Sequence, residues 1–136
     1  MIKRINELLE TNQTFAFETT LATKSYKTKI VKAKKENYSV TLLFFGLETV
    51  ALAIERVKTR VSEGGHNIET QVIKRRYSNG IKNLFEIYLE IADEVLIFDN
   101  SFGEPELIAE KSFDTEMKIL STTKFNNLKN NWNERI

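Results

Sequence analysis

Tyr38-Ser-Val-Thr-Leu-Leu-Phe-Phe-Gly46 is the stretch on which the fold turns. Val40, Leu42, Leu43, Phe44 and Phe45 make it apolar on both alternating faces, the pattern of a strand in a parallel sheet covered by helices on both sides. Gly46 ends it. Further along, Val95-Leu-Ile-Phe98 repeats the pattern and stops at Asp99, Asn100 and Ser101. In the other direction, the compact apolar segment Phe15-Ala-Phe17 reads as a short strand. Between these runs the period changes to that of helices. Ile5, Leu8 and Leu9 recur within Met1 to Thr11, and Tyr26, Ile30 and Ala33 within Ser25 to Lys35. Val50, Ile54, Val57 and Val61 form a stripe from Thr49 to Ser62, stopped by Gly64 and Gly65. Ile73, Tyr77, Ile81, Leu84 and Tyr88 continue in register from Glu69 to Glu90, with Gly80 inside as a weak point or a close-packing site. Beyond Pro105, Leu107 to Ser112 and Glu116 to Leu120 suit a hairpin, followed by a helix near Phe125 to Trp132. Helices alternating with strands predict an α/β fold: three layers around a mainly parallel sheet, as one domain over residues 1–136.

Composition narrows the chemistry. With 29% charged residues but a net charge of only +1, the chain reads as an ordinary folded protein and not as one that coats nucleic acid. Cysteine is absent and His66 is the single histidine, which excludes disulfides, thiolate catalysis and histidine metal clusters. No metal site and no catalytic residue is assigned. The first residues alternate charge with Ile2, Ile5, Leu8 and Leu9, unlike a secretory signal, and no run is long enough to span a membrane. A cytoplasmic location is expected.

In such folds ligands bind beyond the carboxyl ends of strands. Three polar clusters fall there: Glu18 with Thr19 and Thr20, Glu48 after Gly46, and Asp99 with Asn100. Glu18 and Thr20 can grip an acceptor's hydroxyls, since a carboxylate accepts two of them and a threonine both donates and accepts; the plainer reading is a solvated Glu18 and threonines that make a turn. Arg56, Arg60, Arg75 and Arg76 form a basic patch suited to phosphate if the Gly64-Gly65 turn brings their helices together. Arg60 and Arg76 border their apolar stripes more closely, whereas Arg56 and Arg75 suit a solvated flank. Asp99 and Asn100 either line a nucleotide pocket or form a polar turn. His66, after two glycines, suits a hinge or cap.

Phe15-Ala-Phe-Glu-Thr-Thr20, Gly64-Gly-His66 through Arg75-Arg-Tyr77 and Asn83-Leu84, and Ala92-Asp-Glu94 through Phe98-Asp-Asn-Ser101 together resemble the zeta-toxin-like P-loop kinases, from Met1 to about Glu110. The resemblance implies phosphoryl transfer from ATP or GTP with Mg, in the toxins to the sugar of UDP-N-acetylglucosamine, and restraint by a small helical antitoxin. It implies substrate contact at Glu18 and Thr20 and phosphate contact at Arg60, Arg75, Arg76 or Arg56. The family opens with a strand, a Gly-rich loop bearing Lys and Ser or Thr, a helix and a second strand with an aspartate. None of these occurs in residues 1–136. The loop's amides and lysine stabilise the transferring phosphoryl group, and one lost donor of this kind costs about 3 to 4 kcal/mol.

The expectation is therefore a truncated P-loop-kinase-like domain without its first two strands, inactive alone and without a cofactor of its own. A protein-interaction or self-association module is the main alternative, and a weak nucleic-acid binder the second. Expected partners are another copy of the chain, an antitoxin-like protein and a nucleotide sugar; membrane and nucleic acid are not expected. In the kinases the chain resembles, the strand before the Gly-rich loop lies between the strands matching Phe15 to Phe17 and Tyr38 to Phe45, and the gap its loss leaves is expected to close by direct pairing of these two or by a strand from another copy such as Leu107 to Ser112.

Overall fold

The computed structural model describes residues 2–131. Helices α1 (Ile2–Glu10) and α2 (Tyr26–Lys35) precede strand β1 (Thr41–Gly46); α3 (Val50–Ser62) and α4 (Thr70–Asn83) follow. A π-helical turn, Leu84–Tyr88, and the single turn α5 (Leu89–Ile91) lead to β2 (Glu94–Asp99), β3 (Glu106–Lys111) and β4 (Lys118–Ile119), and α6 (Thr122–Asn131) is the last described helix. The apolar periodicity placed these elements to within a few residues. The predicted end of the terminal helix at Trp132 lies outside the described residues. The long helix read from Glu69 to Glu90 stays helical throughout, but Leu84–Tyr88 winds more loosely and buries both Leu84 and Tyr88 completely.

Three expectations about the sheet are corrected. Its order is β1-β2-β3-β4, and only β1 and β2 run parallel; β3 and β4 are antiparallel to their neighbours, so the sheet is mixed. The cause is connection length. The link from β2 to β3 is a short loop, which reaches only an antiparallel neighbour, whereas α3 and α4 provide the long crossover that a parallel pair needs. Phe15 to Phe17 is not a strand and does not pair with β1. Its rings are spent on other contacts: Phe15 stacks on Phe17 and meets Tyr38 edge-on, and Phe17 packs on Tyr26. Leu107 to Ser112, expected as a strand to lend to another copy, contains most of β3, already paired on both sides within this chain.

The main core lies on one face of the sheet. Register places Leu42 opposite Val95 and Phe44 opposite Ile97, and these pack with Ile81, Leu84, Tyr88, Phe125 and Leu128. A smaller cluster of Ile5, Leu9 and Ala33 joins α1 to α2. The expectation that helices cover β1 on both sides fails on the other face, where Leu43 and Phe45 are each 50% exposed. Phe45 stacks there on Phe98, 5.0 Å between ring centres. None of the described helices is long and apolar enough to cross a membrane.

Candidate functional site

Beside β1 the molecule is cleft. A depression of about 1170 Å³ runs along the whole strand, with residues 15–21 as its opposite wall and α4 beneath, and α3 contributes Ala53, Arg56, Val57 and Arg60. The apolar stripe on α3 is not buried: no residue of α3 is, and Val57 of the stripe faces this cleft.

The far wall is a strap fixed to α4. The carbonyl of Thr20 passes so close to Gly80 that a β-carbon there would lie 2.8 Å from it, closer than real contacts allow, which assigns Gly80 the close-packing role. Asn83, buried, donates through Nδ2 to the carbonyl of Leu21 at 2.9 Å. Leu21 itself has a positive φ of 61°, a region that bulky L-residues seldom adopt. It is held there because its side chain is buried in the main core while its carbonyl is tied to Asn83. Thr19 and Thr20 accept, through Oγ1, from the amides of Leu21 and Ala22 at 3.3 and 3.4 Å, so both hydroxyls help to form this turn. The Glu18 carboxylate is exposed and has no hydrogen bond or ion pair among the described residues.

The sequence-predicted residues divide between the cleft and its surroundings. Glu18, Thr20, Arg56, Arg60, Arg76 and Asn100 line it; Arg75, Asp99 and His66 do not. Arg56 is half-buried and donates to the carbonyl of Asn100, bridging α3 to the end of β2. Arg60 and Arg76 are exposed, and their guanidinium groups have no partner among the described residues. Lys29, which sequence reasoning passed over as one lysine among many on α2, also lines the cleft. Four cations and one carboxylate therefore face the same space.

Asp99 belongs to a clamp instead. Its carboxylate accepts from Ser101 Oγ at 2.5 Å and lies 3.5 Å from Lys124 Nζ. The hydroxyl of Ser101 accepts in turn from the amide of Glu48 at 2.8 Å. Asn131 donates to the carbonyl of Glu48 and to the hydroxyl of Tyr77, which donates to the carbonyl of Leu47, each at 2.8 Å. Lys124 also pairs with Glu106 at 2.8 Å, and these carboxylates, Glu106 foremost, raise its pKa above the usual lysine value. The clamp fixes the loop after β1, and with it the end of the cleft where the arginines gather. Tyr77 was legible only as a core aromatic; Ser101, Lys124 and Asn131 were not singled out as partners, because apart from Ser101 and Asp99 the members of the clamp come from separate elements, and no local window joins them.

The family model for zeta toxin matches residues 2–111. An uncharacterized protein of Haemophilus influenzae is 35% identical over 63 residues, which cover 46% of this chain and 45% of that protein, so the match spans less than half the length of the curated relative. No solved structure matches. The chain belongs to the zeta toxin family.

Proposed function

We propose that the chain provides the acceptor-facing and phosphate-facing side chains of a zeta-toxin-like small-molecule kinase, with ATP or GTP as donor and a nucleotide sugar of the UDP-N-acetylglucosamine type as acceptor, and that it does not turn over by itself. One observation carries this reading: Glu18 and Thr20 stand on the strap while Arg56, Arg60 and Arg76 face the same cleft from α3 and α4. A carboxylate opposite guanidinium groups suits a ligand with hydroxyls at one end and phosphates at the other. Phosphoryl transfer breaks the bond from the γ-phosphorus to the β-bridging oxygen and forms one to an acceptor hydroxyl, whose proton must go to a base. Catalysis of that step rests mainly on fixed positive charge around the transferring group. Arg60 and Arg76 supply charge, but residues 1–136 contain no glycine-rich loop with its lysine to cradle the phosphates. Mg fits less well than phosphate does, since no cluster of three or more acidic or histidine side chains forms among the described residues. No step is assigned through the metal.

Titration calorimetry with UDP-N-acetylglucosamine, and separately with ATP, tests the reading. Heat that saturates, and that weakens in Glu18→Gln for the sugar nucleotide and in Arg60→Glu/Arg76→Glu for ATP, is the expected result. A flat titration at millimolar ligand rejects it. The second reading, a protein-interaction module, draws on a different observation, the unpaired side of β1.

A further inference from the structure

We infer that Ser101 and Lys124, neither of which lines the cleft, are positioning residues for Arg56: they fix the carbonyl to which its guanidinium is tied, and so set how firmly the cleft holds phosphate. The inference rests on the reading of the cleft as a phosphate site and names what tunes that site. The three arginines of the cleft are held differently. Arg60 and Arg76 are exposed, with no partner among the described residues, so each must be ordered when an anion arrives. Arg56 is half-buried and already donates to the carbonyl of Asn100. A guanidinium has more N–H donors than one carbonyl can occupy, so the tether leaves donors for a ligand. Ordering a long side chain at the moment of binding costs affinity, and a tether made beforehand removes that cost.

The strength of the tether depends on how well its acceptor is fixed. The carbonyl of Asn100 lies in the peptide plane shared with Ser101, between two anchors. On one side the amide of Asn100 donates to the carbonyl of Gly46 at 2.8 Å. On the other, the Ser101 hydroxyl accepts from the amide of Glu48 at 2.8 Å and donates to the Asp99 carboxylate at 2.5 Å. Ser101 and Asp99 are 7% and 8% exposed, so neither trades these bonds readily for water. Asp99 is held in turn by Lys124 of α6, 3.5 Å away. Lys124 lies beyond the stretch that matches the family model, so this last support comes from α6 and not from the matched residues. Without the Ser101 hydroxyl, the amide of Glu48 loses its acceptor and Asp99 loses a donor. The Asn100 peptide is then pinned at Gly46 alone and can turn about it, and Arg56 becomes a third loose arginine.

ATP titrations of the 136-residue chain test this in a double-mutant cycle. Ser101→Ala and Arg56→Ala should each weaken ATP binding about threefold to tenfold, and Ser101→Ala added to Arg56→Ala should weaken it no further. Ser101→Thr, which keeps the hydroxyl, should restore binding. Lys124→Met should act in the same direction with a smaller effect, which covers the case in which Ser101→Ala fails to fold. Salt gives a readout that a general loosening of the fold would not move. The loss from Arg60→Glu/Arg76→Glu should shrink at raised ionic strength, because exposed charges are screened, whereas the loss from Ser101→Ala should persist. Additive losses, or affinity unchanged in both Ser101→Ala and Lys124→Met, overturn the inference. A flat titration of the wild-type chain rejects the phosphate reading itself, and the positioning is then decided by nitrogen NMR of the arginine side chains. Ser101→Ala should merge the separate Nη signals of a tethered Arg56 into one averaged signal and leave those of Arg60 and Arg76 as they are; an unchanged Arg56 overturns the inference on its own.

Discussion

β1 and β2 are both six residues long, are paired in register, and are similarly apolar, yet they live in different surroundings. β2 has neighbours on both sides and alternates buried with half-buried residues, Val95 and Ile97 being fully shielded. β1 has one neighbour and alternates exposed with half-buried residues until Gly46. A strand's hydrophobicity reports what it is built to contact; it does not report whether this chain supplies the contact. The same contrast holds for helices, with α4 burying Ile73 and Ile81 while α3 buries nothing.

The sharpest way to break the comparison is truncation on each side. Leu84→Ala, in the shielded core, should cost about 2 to 5 kcal/mol in denaturant unfolding. Leu43→Ala, half-exposed, should cost less than about 1 kcal/mol. Equal losses would mean that the edge is covered in solution. Gly80→Ala probes the strap between the two regions: the new methyl meets the Thr20 carbonyl and should destabilise by about 1 to 3 kcal/mol, with altered amide shifts confined to residues 15–22 and α4. On the open side, Arg60→Glu/Arg76→Glu should weaken ATP binding about tenfold or more while leaving stability within about 0.5 kcal/mol. The smallest effect lies at alkaline pH. The pKa of Lys124 is raised by its hydrogen bond to Glu106, and that of Tyr88 is raised by burial away from water. Both folded forms hold their protons more tightly than the unfolded chain does, so their contribution is full below the ordinary values of 10.0 and 10.5 and falls as pH rises through the folded values. Lys124→Met should flatten part of that decline in a stability scan from pH 9 to 12; an unchanged slope would remove Lys124 from the account.

Much of this was legible in the residues. The helical periods of α1 to α4, the strands around Leu43 and Ile97, the hairpin after Pro105 and the α/β class follow from apolar spacing alone. Sheet direction did not, because hydrophobic runs look alike in parallel and antiparallel neighbours and only the length of the β2–β3 loop decides. Phe15 to Phe17 misled because two phenylalanines two apart fit a strand and equally fit an unpaired strap whose rings pack on Tyr38 and Tyr26. Glu18, Thr20, Arg60 and Arg76 line one cleft, while Asp99 turns into a clamp that depends on Ser101 and Lys124. Side chains from separate elements, such as Asp99 and Lys124, leave no local trace of meeting.

The strap is anchored twice to one helix, at Gly80 through the Thr20 carbonyl and at Asn83 through that of Leu21. Those anchors are three residues apart on α4, less than one turn, so the strap is bolted to a beam and cannot swing toward β1 without releasing both. The width of the cleft is thus preset by α4 and does not wait for whatever enters. A preset cleft binds in one step: stopped-flow association should be a single exponential whose rate rises linearly with the concentration of the incoming molecule, without the plateau that a closing jaw would impose.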